Sequence, residues 1–193
     1  GWDGRPQEFG AQLALDEIDV AISGDDWVRE RALEFKYEYG RDVSLRKVLS
    51  LQRGQVRIVI ITNSAEGSCD AWLSGLLRRK PLVTMVSEMP YLALGWFREK
   101  AEALGFGESH KDFSVQKFKT PPRIESGIVI YESWGKTEAK VVNGSVDFGL
   151  EITQTGSAIR NYGLQIVDEI MKSEAGVWVN PAILDKPVKC DLA

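Results

Sequence analysis

The regular alternation of short apolar runs with amphipathic segments most limits how this chain can fold. The strongest run covers residues 56–62, where β-branched residues predominate and favour a strand. Further strands are predicted at 18–23, 82–86, 113–118, 128–132, 148–152 and 176–180. Helices are predicted after Asp25, at 90–104, around Glu138 and at 157–172. Strands and helices in this alternation predict an α/β fold.

Length and charge limit the organisation of the chain and its partners. The 193 residues, 44% of them hydrophobic, suffice for a substantial core in one domain or two small lobes. A net charge of -4 argues against broad attraction to nucleic acid or to an anionic membrane, so any phosphate must be held locally. No apolar run approaches the roughly 20 residues of a membrane span. The first residues lack the pattern of a signal peptide, so a cytoplasmic location is expected.

Cysteine and histidine are too scarce and too scattered to predict a metal centre. Cys69 and Cys190 are far apart in sequence, neither belongs to a CxxC pair, and His110 is the single histidine. This arrangement argues against a zinc site. Two free thiols are the expected state in a reducing compartment, with a disulfide as the alternative.

Residues 148–163 form the segment with the most chemical content. A buried strand leads into a hydroxyl-rich loop that contains Thr153, Thr155 and Ser157, and a helix is predicted to follow. Gly156 would let the backbone approach a ligand, and free amides at the start of the helix would attract a phosphate. The alternative is that the hydroxyls only cap the helix, and the loop alone favours this alternative.

Residues 151–167 resemble the phosphoribosyl pyrophosphate loop of the ATP phosphoribosyltransferase family. Their sequence is Glu-Ile-Thr-Gln-Thr-Gly-Ser-Ala-Ile-Arg-Asn-Tyr-Gly-Leu-Gln-Ile-Val. Other blocks similar to this family occur in the same order, at 5–7, 19–30, 56–60, 87–90, 133–140 and 177–181. The sequence departs from the family pattern at Ala158, where a hydroxyl residue is usual. It also shows no counterpart of the family's early basic, phosphate-contacting segment.

The resemblance implies an α/β fold with a two-lobed, periplasmic-binding-protein-like (type II) architecture and a ligand cleft between the lobes. Residues 1–64 would form lobe I, to which 174–193 return, and 65–173 would form lobe II with the phosphoribosyl pyrophosphate loop. The polar segment 63–67 is the candidate hinge.

The resemblance also implies a glycosyltransferase. It would join N1 of ATP to phosphoribosyl pyrophosphate and release pyrophosphate, which is the first step of histidine biosynthesis. Mg²⁺ is the implied cofactor, no covalent protein nucleophile is needed, and a homo-oligomer is expected. The alternative is a noncatalytic bilobal module that binds small anions, or a regulatory paralogue of the same fold.

The site residues follow from matching this sequence to the family blocks. Glu151 would accept hydrogen bonds from the ribose hydroxyls, and Glu138 would accept one from the adenine amino group. Glu138 could equally be a solvated carboxylate on a helix. Substrate contacts are further expected at Thr153, Gln154, Thr155, Gly156, Ser157, Ala158, Arg5 and Glu88.

Overall fold

The computed structural model describes residues 4–185, which fold into two compact units. One unit contains the described residues up to Val56 and those from Lys172 onward, and the other is Arg57–Met171. The elements are α1 (Pro6–Ala14), β1 (Val20–Gly24), α2 (Asp25–Tyr39), β2 (Arg46–Ser50), β3 (Val56–Thr62), α3 (Cys69–Arg79), β4 (Leu82–Ser87), α4 (Pro90–Ala103), β5 (Phe113–Lys117), β6 (Gly127–Glu132), α5 (Thr137–Val142), β7 (Phe148–Thr153), α6 (Ser157–Asn161), β8 (Gln165–Ser173), β9 (Ala175–Val179) and a 3₁₀ helix, Pro181–Asp185.

The first unit is built on a three-stranded antiparallel sheet in the order β1-β9-β2. Helices α1 and α2 pack beside β1, and the apolar core includes Leu13, Ala21, Val28 and Val179. The return of the chain as β9 between β1 and β2 makes this unit discontinuous in sequence, because β9 comes after the whole of the second unit.

The second unit contains a six-stranded mixed sheet in the order β5-β6-β4-β7-β3-β8. Strands β5, β6, β4 and β7 run parallel to one another, whereas β3 pairs antiparallel with β7. Phe148 at the start of β7 is fully buried, with the rings of Trp72 and Trp96 at centroid distances of 5.5 and 5.9 Å. One face of the sheet therefore packs against helices α3 and α4, which carry these two tryptophans, and the other face carries an apolar cluster that includes Val141 of α5.

The predicted α/β class and two-lobed architecture are confirmed, but the helix predicted at 157–172 is wrong. Helix α6 ends at Asn161, Gly163 follows with a φ of +72°, and residues from Gln165 form the edge strand β8. Two acidic residues of β8 have partners within the second unit. Asp168 accepts a hydrogen bond from Trp96 Nε1 at 2.8 Å, and Glu169 accepts one from Arg57 at 2.6 Å. Elements α1, β2 and α3 were not predicted.

The lobe boundaries differ in position from those drawn at residues 64 and 174. Strand β3, assigned from the sequence to lobe I, pairs with β7 along residues 57–61 and thus belongs to the second unit.

None of the described helices has the length and apolar character needed to cross a membrane. Cys69 is a free thiol, and Cys190 lies outside the described residues.

Asp147 fixes the start of β7 beside β4. Its carboxylate accepts hydrogen bonds from the Thr84 amide at 2.9 Å and from Lys80 Nζ at 2.7 Å. The Asp147 side chain is only 16% exposed, so its loss would leave the strand amide without its partner.

We expect Asp147→Ala to lower the free energy of unfolding by about 2 kcal/mol, because the partly buried Thr84 amide and the Lys80 ammonium lose their acceptor. Asp112→Ala, at an exposed position, is the matched control and should change it by less than about 0.5 kcal/mol. Urea denaturation of both variants measures the difference. Equal losses in the two variants would contradict this role of Asp147.

Candidate functional site

Three parallel strands of the larger sheet bring the predicted site residues of the second unit to the end of the sheet at which these strands finish. Strands β4, β6 and β7 run in the same direction, so their carboxyl ends lie together. Glu88 follows β4, the segment after β6 leads to Glu138 in α5, and residues 151–158 lie at the end of β7. Sites on open α/β sheets typically form at this edge.

Glu151 lies half-buried on β7 among other carboxylates. Burial, followed by the negative charges of Glu138 and Glu88, raises the pKa of Glu151 to about 8, although its bond to the Ile152 amide at 2.9 Å acts in the opposite direction. The three glutamates therefore share one electrostatic environment. At neutral pH the Glu151 carboxyl mostly holds its proton.

A close approach between α5 and β7 explains why Glu138 and Glu151 interact. A Cβ atom on Gly149 would lie 2.9 Å from Val141 Cγ2 and 3.2 Å from Thr137 Cγ2 of α5. Side chains two residues apart on a strand point to the same face, so Glu151 projects on the side of β7 that α5 covers. Glu138 is in the first turn of that helix.

Glu88 has a protein partner in the loop that precedes α5. Its Oε1 accepts a hydrogen bond from the Gly135 amide at 2.7 Å. From the other side, Lys140 Nζ donates to the Gly135 carbonyl at 2.7 Å and to Ser133 Oγ. Both contacts hold the loop between β6 and α5, a role that the sequence did not predict for Glu88 or for Lys140. The only signal was that both residues lie in family-like blocks.

The loop after β7 is exposed but largely bonded to itself. The Gly156 amide donates to Thr153 Oγ1 at 2.9 Å, and the Ser157 amide donates to Thr155 Oγ1 at 3.3 Å. The Thr155 and Ser157 hydroxyls are 2.8 Å apart and share a hydrogen bond. Gln154, Thr155, Ser157 and Ala158 are exposed to solvent. The Ala158 amide has no hydrogen-bond partner within residues 4–185.

These contacts correct the expectation of several free amides at the start of a long helix. Helix α6 has five residues, so its macrodipole is weak, and two of the expected free amides already have hydroxyl acceptors. Gly156 has a φ of +76°, and a Cβ there would lie 3.0 Å from Arg160 Nη1. The Ala158 amide and the hydroxyls of Thr155 and Ser157 are the donors that this loop could offer to an anion. The two hydroxyls would first have to give up the hydrogen bond that they share.

Arg5 belongs to the first unit, where it is exposed and precedes α1.

Within residues 4–185, no group of three or more histidine, cysteine, aspartate or glutamate side chains has an arrangement that could hold a metal ion. Glu138 and Glu151 still offer carboxylate oxygens, the ligand type that Mg²⁺ prefers when it binds through one or two carboxylates and substrate phosphates. The donor set therefore fits a substrate-borne ion better than a resident one.

The raised pKa of Glu151 predicts a pH-dependent cost to stability. The folded protein keeps this proton up to about pH 8, whereas the carboxyl ordinarily releases it near 4.5, so the contribution of Glu151 to stability falls as the pH rises through that interval. Glu151→Gln should therefore gain about 1–2 kcal/mol over the parent protein between pH 5 and pH 9, after allowance for solvent screening. Urea denaturation at both pH values measures this gain.

Glu125→Gln, at an exposed position, controls for the general loss of a negative charge and should follow the parent protein at both pH values. A Glu151→Gln variant whose stability runs parallel to that of the parent from pH 5 to pH 9 would show that Glu151 is ionised throughout this range.

Comparison with known proteins places this chain among phosphoribosyltransferases. The ATP phosphoribosyltransferase from Desulfatibacillum aliphaticivorans is 44% identical over 187 residues, covering 96% of this chain and 51% of its own length. The ATP phosphoribosyltransferase from Trichlorobacter lovleyi is 29% identical, with coverage of 96% and 52%. The chain thus spans about half the length of these curated relatives.

A solved structure shows that the fold is shared as well. The ATP phosphoribosyl transferase (HisG:HisZ) complex from Thermotoga maritima includes a chain that superimposes with a TM-score of 0.66 at 18% identity, covering 99% of this chain and 73% of that chain. The sequence model of the ATP phosphoribosyltransferase family matches residues 5–191. With its sheet-edge glutamates and its hydroxyl-rich loop, this chain belongs to the ATP phosphoribosyltransferase family.

Proposed function

We propose that this chain carries the catalytic core that joins N1 of ATP to phosphoribosyl pyrophosphate, with release of pyrophosphate, in histidine biosynthesis. Family membership supports the reaction. One observation carries the proposal: a carboxylate and an exposed, hydroxyl-rich loop lie at the same end of β7. Glu151 and Thr153 are both on this strand. One surface could then bind a ribose and its 5-phosphate together.

The loop would bind the 5-phosphate. Thr155 and Ser157 would turn their hydroxyls from each other to the phosphate oxygens, and the unpartnered Ala158 amide would supply a further donor. Thr153 would keep its present bond to the Gly156 amide and so hold the loop in shape. Gln154, which is exposed, would contact the ligand from the rim of the loop.

The glutamates would act on the ribose and the base. Glu151 would contact the ribose hydroxyls, and Glu138 would accept a hydrogen bond from the adenine amino group. Glu88 would position the loop between β6 and α5 through its bond to Gly135. Mg²⁺, when bound with the polyphosphate, would supply positive charge to the departing pyrophosphate.

The reaction itself needs no protein nucleophile. The N1 lone pair forms the new bond to the anomeric carbon while the bond from that carbon to the pyrophosphate oxygen breaks, and the pyrophosphate leaves with the bonding electrons. Positive charge then develops on the ribose, beside the carboxylates of the site. Negative charge at this point, from Glu138 and from Glu151 once it has released its proton, stabilises the transition state more than the ground state, and positioning of the two substrates supplies the rest.

A noncatalytic module that binds small anions is the second candidate. Two observations favour it: Ala158 offers no hydroxyl, and the loop already satisfies two of its own amides. A partner subunit or a second copy of the chain could complete either kind of site, and the Thermotoga relative was solved as a complex of two named components. A homo-oligomer in the cytoplasm stays a prediction.

We expect the intact protein to form phosphoribosyl-ATP when it is incubated with ATP, phosphoribosyl pyrophosphate and Mg²⁺. Release of pyrophosphate measured in parallel should match the product mole for mole. Binding of phosphoribosyl pyrophosphate without any turnover, with and without added candidate subunits, would favour the noncatalytic module.

We expect Thr153→Val to weaken binding of phosphoribosyl pyrophosphate about tenfold, because the Gly156 amide loses its acceptor and the loop its shape. Calorimetric titration measures this loss even if the protein proves inactive. Thr120→Val is the matched control, since its hydroxyl bonds to Gln116 and Lys117 at β5, which is separated from β7 by β6 and β4. An unchanged affinity in Thr153→Val would remove the loop from the proposed site.

A further inference from the structure

A pocket of about 630 Å³ opens in the second unit beside the edge strand β8. Its wall is formed by the loop before α3, the first residue of α3, the end of α6 and the start of β8, with Ser68, Cys69, Arg160, Leu164, Gln165 and Ile166 among the lining residues. Its volume lies within the range of small-molecule binding sites. None of its lining residues is one of the predicted substrate contacts.

One wall of the pocket, the loop before α3, lies near the beginning of β7, whereas Glu151 lies toward the end of that strand. Strand β3 pairs antiparallel with β7, with Arg57 opposite Thr153 and Ile61 opposite Gly149. The chain that leaves β3 therefore starts near the beginning of β7, where Thr62 Oγ1 donates to the Asp147 carbonyl at 3.1 Å. The pocket wall before α3 follows directly from this point, and Glu88, Glu138 and Glu151 are not among the residues that line the pocket.

The polar groups of the pocket are mainly donors. The guanidinium of Arg160 has no hydrogen-bond or ion-pair partner in the part of the chain that the structure describes. Gln165 uses its Oε1 to accept the Ala65 amide at 2.6 Å, which leaves its Nε2 group as a donor. Ser68 accepts from the Ala71 amide, so its hydroxyl hydrogen is free to donate.

Some cations of the same unit are paired within the described part of the protein, whereas Arg160 is not. Lys80 pairs with Asp147, Lys100 with Asp70, and Arg57 with Glu169. An unpaired guanidinium beside a cavity with apolar side chains such as Leu164 and Ile166 suits a ligand with both an anionic group and an apolar body.

We propose that this pocket is a second binding site, for a small organic anion whose carboxylate or phosphate is held by Arg160. The other wall of the pocket, which includes Arg160 and Ile166, lies against the hydroxyl-rich loop after β7. The position of a Cβ on Gly156 would be 3.0 Å from Arg160 Nη1 and 3.2 Å from Ile166 Cδ1, so two pocket side chains touch the reverse side of this loop. A ligand that draws Arg160 into the pocket would change the support of the loop.

Cys69 provides a local reporter of occupancy. Burial raises the pKa of the Cys69 thiol to about 11, so its alkylation is slow and can be followed over time at mildly alkaline pH. The experiment uses the full chain with Cys190→Ser, phenyl phosphate as the probe and phenol as its uncharged counterpart. Mass spectrometry of the Cys69 peptide gives the rate of alkylation by N-ethylmaleimide.

We expect saturating phenyl phosphate to slow alkylation of Cys69 at least about fivefold, and phenol at the same concentration to leave the rate unchanged. Arg160→Gln should shift the protection curve to about tenfold higher concentration, and Arg160→Lys should shift it less, since the charge remains but the planar fork is lost. Arg123→Gln, an exposed arginine outside the pocket, is the control and should protect like the parent.

Two results would overturn the proposal. One is an unchanged alkylation rate with phenyl phosphate up to about 10 mM, a range in which even weak single-site binding is detectable. The other is equal protection in the parent protein and Arg160→Gln, which would mean that the probe acts from elsewhere, such as the exposed face of the phosphate loop. Neither result depends on whether the protein catalyses the proposed transfer.

Discussion

The parallel pairing of β4, β6 and β7 is the constraint on which the candidate site depends. Ser87 pairs with Glu132, and Val86 with Gly149, so the ends of the strands are fixed in register. Glu88, Glu138 and Glu151 then have to share one edge of the sheet. Three carboxylates that lie close enough to interact repel one another. The fold tolerates this arrangement because Glu151 can keep a proton and because Glu88 accepts a hydrogen bond from the Gly135 amide.

The hydroxyl-rich loop after β7 depends on the same strand. Glu151 and Thr153 are two residues apart on β7 and project from the same face, toward α5. Thr153 then holds the Gly156 amide, which sets the path of the loop just beyond the carboxylate. Burial and the neighbouring carboxylates raise the pKa of Glu151, and a cation that arrived with a ligand of this loop would lower it.

The sequence predicted most of this sheet because its strands carry a strong local signal. Residues 56–62 and 82–86 are apolar and β-branched, and they become β3 and most of β4. The site residues around β7 came from the resemblance to a family, since hydroxyls before a helix occur in many proteins. Contacts between distant segments, such as Glu88 with Gly135 or Lys140 with Ser133, have no signature in a single sequence.

The wrong prediction at 157–172 has a physical cause that also explains the second pocket. Apolar residues at 166, 167 and 170 fit a helical spacing, but Gly163 ends α6, and pairing at the sheet edge makes the rest a strand. Because the chain turns back after a single short helix, Arg160 and Ile166 come together behind Gly156. A continuous helix would place these residues more than a turn and a half apart, with no such pocket between them.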